Sequence, residues 1–374
     1  MKRVVQLCLF VLAAYACTGY QPDQQLEMVD RNATKETRAL YANMVEMQGR
    51  SVMFGHQDDT SYGIGWMDDS GQSDVRKVTG DYPAVYGWDM GHIETGSELN
   101  IDRVPFSQMR EQIIQSFERG GVNTLGWHLQ NPFTGGSAWD VSSEGVVRSI
   151  LPGGEKHGLF MQWLDNLAGF IGSLRTEEGT AVPVLFRPYH EHTGSWFWWG
   201  ETLCTKEDYI ALWHFTVDYL RDTKQLHNIL YVYSPDFVVD EQAYFDRYPG
   251  DAYVDILGLD FYHRDGEAKT QEYIANVQRI LAMLHDSPQR NGKPYIFSET
   301  GAEGIPIADW FNRVLYKAIE PNKPVYVLVW RNAFDIPGHF YAPYPGHPSE
   351  NDFIQFKNRM DILFETELPD MYQH

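Results

Sequence analysis

Cysteine is scarce in this chain: its 374 residues contain three, Cys8, Cys17 and Cys204. Cys8 lies in an N-terminal segment that we expect to be removed, so no disulfide framework is available to hold a fold together. No charge block or Pro/Gly/Ser linker divides the chain after about residue 35. The sequence therefore predicts a single large domain that depends on its hydrophobic core.

Positive charge is also in short supply, with 30 Lys and Arg against 51 Asp and Glu and a formal net charge of −21. Such a field repels phosphate backbones and anionic lipid surfaces, so we expect no nucleic-acid partner. Long hydrophobic runs are missing as well. The apolar stretch from Val4 to Ala14 is too short to span a bilayer, which requires about 20 residues.

The N-terminus has the pattern of an export signal. Met1-Lys-Arg3 precedes the apolar stretch, and Ala14-Tyr-Ala-Cys17 follows it. The last four residues are similar to a bacterial lipobox, which favours lipidation of Cys17 over plain secretion. We therefore expect a signal peptide over 1–16, a tether over 17–34 and a catalytic domain over 35–374. We expect a monomer that is either periplasmic or anchored to the cell envelope by a lipid. Its only contact with the membrane would be through that anchor.

Short apolar runs alternate with amphipathic stretches along the rest of the chain. The runs are Val52–Gly55, Pro83–Trp88, Val122–Trp127, Val182–Pro188, Ile229–Ser234, Val254–Phe261, Pro294–Ser298 and Pro324–Trp330. Several are continuous rather than alternating, as in strands covered on both faces. Eight such runs with intervening helices predict a (β/α)8 barrel. A doubly wound sheet is the alternative, but the chain has no Gly-rich phosphate loop to support it.

Polar and aromatic residues gather where most of these runs end. Examples are His56-Gln-Asp-Asp59, Trp127-His-Leu-Gln-Asn-Pro132 and Asp260-Phe-Tyr-His263. In a barrel the carboxyl ends of all strands meet at one mouth, where active sites are assembled. The sequence thus predicts the location of the site from the fold alone.

Two strand-end glutamates, Glu191 and Glu299, are the candidate catalytic residues. Paired carboxylates cleave glycosidic bonds when their surroundings separate their pKa values. The aromatic surroundings of Glu191 favour the protonated form that a general acid needs. Arg187 and Tyr262, with the backbone N–H groups after Glu299, are candidate donors to an ionised Glu299. We therefore predict Glu191 as the acid/base and Glu299 as the nucleophile.

The sequence His190-Glu-His192 also invites a metal hypothesis. Adjacent residues on a strand point to opposite faces, and the spacing differs from the His-Glu-x-x-His pattern of zinc enzymes. We expect no metal and no cofactor.

With these residues in view, the chain resembles glycoside hydrolase family 26, chiefly β-mannanases, from about Leu40 to Phe364. The matching segments are Met53-Phe-Gly-His-Gln-Asp58, Pro83-Ala-Val-Tyr-Gly-Trp-Asp89, Gly126-Trp-His-Leu-Gln-Asn-Pro132, Arg187-Pro-Tyr-His-Glu-His-Thr-Gly-Ser-Trp-Phe-Trp-Trp-Gly200 and Ser298-Glu-Thr-Gly301. The fourth is long and specific. Tyr189 and His192 depart from the usual motif.

The resemblance implies a retaining enzyme with its two carboxyl groups about 5–5.5 Å apart. It also implies seven substrate-binding side chains. These are Arg187, His190 and Tyr262 around the cleavage point, Trp196 and Trp330 as aromatic platforms near it, and His128 and Trp139 for sugars on the non-reducing side. The stretch Trp139–Gly158 reads as a variable loop; folded over the cleft, it would favour short oligosaccharides.

The function that follows is an endo-β-1,4-mannanase acting on a neutral substrate: mannan, glucomannan or galactomannan. A β-1,3-xylanase or mixed-linkage β-glucanase of the same fold is an alternative. An inactive glycan-binding lipoprotein is another, but it predicts the loss of a carboxylate, and both are present.

Overall fold

The fold of the chain is a closed barrel of eight parallel strands in a computed structural model that describes residues 28–67 and 71–374. The strands are β1 (Val52–Gln57), β2 (Val85–Asp89), β3 (Val122–Gly126), β4 (Val184–Arg187), β5 (Ile229–Tyr233), β6 (Ile256–Asp260), β7 (Tyr295–Thr300) and β8 (Tyr326–Val329). Each pairs with the next, and β8 pairs with β1 through Met53 and Tyr326, which closes the ring. The predicted (β/α)8 barrel is confirmed.

Helices surround the strands. They are α1 (Lys35–Met47), α2 (Asp74–Thr79), α3 (Phe106–Glu118), α4 (Val146–Ile150), α5 (His157–Ser173), α6 (Lys206–Asp218), α7 (Glu241–Phe245), α8 (Thr270–Asp286), α9 (Lys317–Ile319) and α10 (Glu350–Lys357). A π-helix over Tyr219–Thr223 extends α6, and another, Phe311–Tyr316, precedes α9. Thr205 caps the N-terminus of α6, because its hydroxyl accepts from the Asp208 N–H at 3.1 Å.

Three short strands and six 3₁₀ turns complete the described elements. Tyr62–Gly63 pairs with Trp66–Met67 in a small hairpin, and Ile362–Leu363 pairs alongside the start of β1. The 3₁₀ turns are Ile93–Thr95, Asp251–Tyr253, Gly266–Lys269, Pro288–Arg290, Glu320–Asn322 and Glu365–Glu367.

The core has two parts that follow from strand alternation. Residues facing inward, such as Leu185, Val232 and Ile296, fill the barrel and pack against α1 at its base. Outward residues form a larger layer beneath the surrounding helices. The base is thus closed by apolar packing, while the carboxyl ends of the strands remain free to carry polar groups.

The residues just before α1 pack on the barrel. The Val29 N–H donates to Asp255 at 2.8 Å, and Asp30 pairs with His227 at 2.7 Å. The packed body therefore includes residues N-terminal to the predicted boundary at position 35. The predicted signal peptide and Cys17 lie outside the described residues. Within residues 28–67 and 71–374, none of the helices combines the length and the apolarity that a membrane crossing requires.

Candidate active site

The inward-facing positions of β4 and β6 deliver an ion pair to the barrel mouth. Alternation along β4 places Arg187 on the same face as Leu185, and along β6 it places Asp260 on the same face as Ile256. The Arg187 Nη1 lies 3.0 Å from Asp260 Oδ2. Beneath them, position 258 has no room for a side chain larger than that of glycine, because an added Cβ would lie 2.7 Å from the Ser298 hydroxyl oxygen.

A β-bulge turns Glu299 toward the same mouth. Leu259 pairs with Phe297, but Asp260 pairs with Glu299, so β7 carries one extra residue at Ser298. The pairing of β7 with β8 shows the same irregularity. Simple alternation would have pointed Glu299 outward with Phe297. Because the bulge inserts a residue, Ser298 and Glu299 both project into the site.

Side-chain donors surround the Glu299 carboxylate. It is 3% exposed, accepts a hydrogen bond from Arg187 Nη2 and accepts another from the Tyr262 hydroxyl at 2.9 Å. His190 Nε2 lies 3.8 Å from the same carboxylate. Burial, and next the charge of Glu299, raise the pKa of Tyr262, which keeps its hydroxyl a donor. The predicted donors Arg187 and Tyr262 are therefore in place.

Asp260 is the second acidic side chain that contacts Arg187, and no role was predicted for it from the sequence. Burial, aided by the nearby Glu299, raises its pKa to about 7 against the opposing attraction of Arg187. Its oxygens accept from the hydroxyls of Ser234 and Ser298, each at 2.6 Å. The Arg187 guanidinium thus forms ion pairs with both Asp260 and Glu299, and the pair with Asp260 fixes it behind Glu299.

Glu191 sits in a strained loop rather than in a strand. It follows β4 by four residues, and both Tyr189 and Glu191 have φ of +52°, a left-handed conformation that costs about 1–2 kcal/mol per residue. The Glu191 N–H donates to the Ser234 carbonyl at 2.8 Å, which secures the turn against β5. Such strain persists only where surrounding contacts enforce it, and it marks functional positions.

The Glu191 carboxyl has a different environment from that of Glu299. Burial, followed by the negative charge of Glu299, raises its pKa well above the ordinary value. The Trp196 indole donates to Glu191 Oε2 at 2.6 Å. Trp196 folds back over Gly194, where an added Cβ would lie 2.2 Å from the indole ring. The surroundings of Glu191 therefore favour its protonated form, whereas Glu299 lies beside a fixed cation.

Both glutamates line one open cleft of about 740 Å³ at the barrel mouth. The other residues lining it are His128, Trp139, His190, Trp196, Phe197, Asp236, Phe261, Tyr262, His263, Arg264, Asp265, Lys269, Glu272, Tyr273 and Trp330. Of the nine predicted catalytic and binding residues, eight line this cleft. Arg187 is the ninth and lies behind Glu299.

His128 and Trp139 form a wall on one side. Their rings are stacked with centroids 5.0 Å apart and planes inclined by 12°. Asp89 accepts a hydrogen bond from His128 Nδ1. Burial opposes charging of His128, but the attraction of Asp89 outweighs it and raises the pKa of the imidazole. Trp139 remains 48% exposed and presents a flat apolar face to the cleft.

His190 and His192 flank Glu191 but differ in access. Burial first, then the positive charge of His128 and Arg187, lowers the pKa of His190 well below its ordinary value. Its ring nitrogens have no hydrogen-bond partner among the described residues, although the ring reaches the cleft. His192 points away and packs between Tyr209 and Tyr233. The two imidazoles therefore do not converge, although they lie in a turn after β4 and not on a strand as the sequence suggested.

Two features of the cleft were missed from the sequence. Asp236 follows β5 by three residues, and burial raises its pKa to about 6. The Ser234-Pro-Asp236 strand end was the available signal. A charged strip over Arg264, Asp265, Lys269 and Glu272 lines the other part of the cleft.

The Trp139–Gly158 loop contributes Trp139 alone to the lining of the cleft. The rest of it contains α4, which packs against α5 and α6, and Arg148 pairs with Asp208 at 3.0 Å. The loop is thus held to the barrel's helical layer, and its effect on substrate length stays a prediction.

A (β/α)8 barrel with two differently held glutamates in one aromatic cleft defines a hydrolase of the paired-carboxylate glycosidase class. The sequence model of glycosyl hydrolase family 26 matches residues 29–312. The chain belongs to this family, and the resemblance seen in its motifs is confirmed.

Related proteins share both fold and sequence with the chain. A family 26 β-mannanase structure from Bacteroides ovatus has 45% identity and a TM-score of 0.88, covering 91% of this chain and 98% of that one. A modular endo-β-1,4-mannanase structure from Cellulomonas fimi has 35% identity and a TM-score of 0.85, covering 94% and 80%.

A mannan endo-1,4-β-mannosidase of Bifidobacterium adolescentis is 34% identical over 368 residues, covering 92% of this chain and 36% of that protein. The chain therefore spans about a third of that relative's length. It spans 57% of the corresponding enzyme of Caldalkalibacillus mannanilyticus.

Proposed function

We propose that the protein is a retaining endo-β-1,4-mannanase that hydrolyses mannan, glucomannan or galactomannan. The observation that carries the proposal is the placement of Glu191 and Glu299 in one cleft with opposite electrostatic surroundings. A retaining glycosidase needs one carboxyl group that keeps its proton and one that stays ionised. The mannan-degrading relatives supply the substrate class.

In the first step Glu299 attacks the anomeric carbon of the bound mannosyl unit. The glycosidic C–O bond breaks, and Glu191 gives its proton to the departing oxygen. The products are a covalent glycosyl–Glu299 ester and the released reducing-side fragment. Arg187 and Tyr262 hold the Glu299 oxygens and orient one lone pair toward the sugar.

In the second step Glu191, now ionised, removes a proton from water. The water oxygen attacks the anomeric carbon, and the ester bond to Glu299 breaks with its electron pair returning to the carboxylate. Two inversions give net retention. Because Glu191 regains its proton, both groups return to their starting states without a metal or cofactor.

The remaining predicted residues are assigned to substrate binding. The faces of Trp196, Trp330 and Trp139 suit the apolar C–H faces of sugar rings. The nitrogens of His190, which have no hydrogen-bond partner in the described part of the chain, suit a sugar hydroxyl, and the ring of His128 offers a further polar contact. No substrate charge is needed for these contacts, consistent with a neutral polysaccharide.

A panel of purified polysaccharides tests the substrate assignment. We expect reducing-sugar release from linear mannan, glucomannan and galactomannan, and none from β-1,3-xylan or mixed-linkage β-glucan. Proton NMR of the first products should show the β-anomer before mutarotation. Failure to cleave any mannan would remove the substrate assignment, and an initial α-anomer would remove the double displacement.

We propose further that the protein is a monomer exported as a lipoprotein, anchored through Cys17 with residues 1–16 removed. The basic, apolar and small-residue segments before Cys17 support this. Mass spectrometry of the mature N-terminal peptide decides it. A diacylglyceryl Cys17 is expected, while an unmodified N-terminus elsewhere contradicts the anchor. Light scattering on a soluble form lacking the first 17 residues tests the monomer.

A further inference from the structure

Arg247 is a buried cation that forms no ion pair with an acidic side chain in the described part of the chain. It lies two residues after α7 and is 3% exposed. Within residues 28–67 and 71–374 no carboxylate forms an ion pair with it. A buried charge is costly unless hydrogen bonds compensate it, so the interactions of this side chain indicate what it stabilises.

All the hydrogen bonds of the Arg247 side chain go to the segment that follows Glu191, residues 192–205, which we call the acid/base segment. Nη1 donates to the carbonyl of His192 at 2.9 Å, and Nη2 donates to the carbonyls of Cys204 and Thr205 at 3.0 and 3.3 Å. Nη1 also lies 3.5 Å from the Trp199 carbonyl, and Nη2 lies 2.9 Å from the Cys204 sulfur. The guanidinium therefore joins the two ends of the segment.

The acid/base segment carries the groups that hold Glu191. Trp196, in its middle, donates to the Glu191 carboxyl, and the Trp199 indole donates to the His190 carbonyl at 2.8 Å. The first carbonyl that Arg247 binds belongs to the residue after Glu191. Because Glu191 and Tyr189 are held in left-handed conformations, this turn depends on contacts from outside it.

We propose that Arg247 is the positioning residue for the general acid, an inference that rests on the proposed function. Arg247 is not among the residues lining the cleft, so it acts through the backbone of the acid/base segment rather than on the substrate. The planar guanidinium also lies over the Tyr209 ring at 4.5 Å, which fixes its orientation. Lysine has a single ammonium group and cannot bind both ends of the segment in the same way.

Leaving-group dependence distinguishes positioning of the acid from general support of the fold. An oligosaccharide leaving group needs the proton of Glu191, whereas a dinitrophenolate leaves without it. For Arg247→Met we expect kcat/KM on mannopentaose to fall about 30-fold, because a positioned acid contributes roughly 10²–10⁴-fold. On dinitrophenyl β-mannobioside kcat/KM should fall less than about threefold.

Two further variants serve as references. Glu191→Ala measures how strongly the loss of kcat/KM depends on the leaving group when the general acid is absent. Arg38→Met is a control for the loss of an arginine that binds backbone carbonyls away from the cleft, because the exposed Arg38 donates to the carbonyls of Ala33 and Arg31 near the barrel base. The Arg38→Met variant should keep the wild-type kcat/KM on both substrates. Active-site titration with a 2-deoxy-2-fluoro mannoside corrects every value for folded enzyme, and Arg247→Lys takes the place of Arg247→Met where that variant does not fold.

The outcomes separate cleanly. A leaving-group-dependent loss in Arg247→Met, smaller than that in Glu191→Ala, supports the inference. Equal losses on both substrates, or no loss, overturn it while leaving the proposed function intact. If Glu191→Ala itself shows no leaving-group dependence, the assignment of Glu191 fails, and the role of Arg247 fails with it.

Discussion

The two glutamates proposed to be catalytic are held by opposite structural means. Glu299 belongs to β7, with backbone bonds on both sides and a buried guanidinium against its carboxylate. Glu191 belongs to a loop with two left-handed residues and is held by an indole and by the backbone carbonyl of Ser234, just after β5. The nucleophile has to stay ionised and fixed, while the acid exchanges its proton in every cycle. The comparison shows that one barrel gives two carboxyl groups different surroundings: a guanidinium lies against Glu299, whereas burial and nearby negative charge raise the pKa of Glu191.

The largest effect is expected at the strand. Glu299→Ala removes the atom that forms the covalent intermediate, so turnover of mannan should fall by about 10⁵-fold or more. Azide fits the space left by the carboxylate and should restore partial cleavage of an aryl β-mannobioside, giving the α-azide. Product NMR checks the inversion. Hydrolysis at the wild-type rate would be incompatible with Glu299 as nucleophile.

Glu191→Ala tests the loop side of the comparison. We expect mannan hydrolysis to fall by about 10²–10⁴-fold, the usual contribution of a general acid. The alkaline limb of the pH profile should also disappear. The sign follows from the raised pKa: the active protonated form is lost as pH rises through that pKa. A persisting limb would mean that another group is the acid. Glu201→Ala, an exposed glutamate of the acid/base segment, is the control.

A smaller effect is expected at the cleft wall. Trp139→Ala removes an exposed ring that stacks on His128, so we expect KM for mannopentaose to rise about tenfold with kcat little changed, the cost of about 1–2 kcal/mol of aromatic contact. Isothermal titration calorimetry with mannopentaose, carried out on variants that also carry Glu299→Ala, measures binding directly. Phe133→Ala is the control, since Phe133 is similarly exposed but does not line the cleft. Equal losses in both would exclude a specific platform.

The comparison also explains what the sequence could predict. Continuous apolar runs predicted the eight strands and their order, because buried parallel strands have that pattern. The position of the site at the carboxyl ends of the strands followed from that prediction. Arg187 and Tyr262 were predicted as donors to Glu299, and both are. The bulge at Ser298 was not predictable, since strict alternation points Glu299 outward. Asp236 and the Asp260–Arg187 pair were missed because their roles depend on burial and on partners distant in sequence.

The smallest expected effect concerns the contribution of Asp236 to the raised pKa of Glu191. After burial, the negative charges of Glu299, Asp260 and Asp236 raise the pKa of Glu191 in that order. Asp236→Asn removes one of these charges, so the alkaline limb of kcat/KM should move to lower pH by roughly half a unit.

Because the pKa of Asp236 itself is about 6, this difference should vanish below that pH, where the native carboxyl is already neutral. Asp265→Asn is the matched control, since Asp265 lines the same cleft but is not among the charges that shift Glu191. A limb that stays in place or moves upward would show that the charge of Asp236 does not raise the pKa of Glu191. An equal shift in both variants would show that the effect is not specific to Asp236.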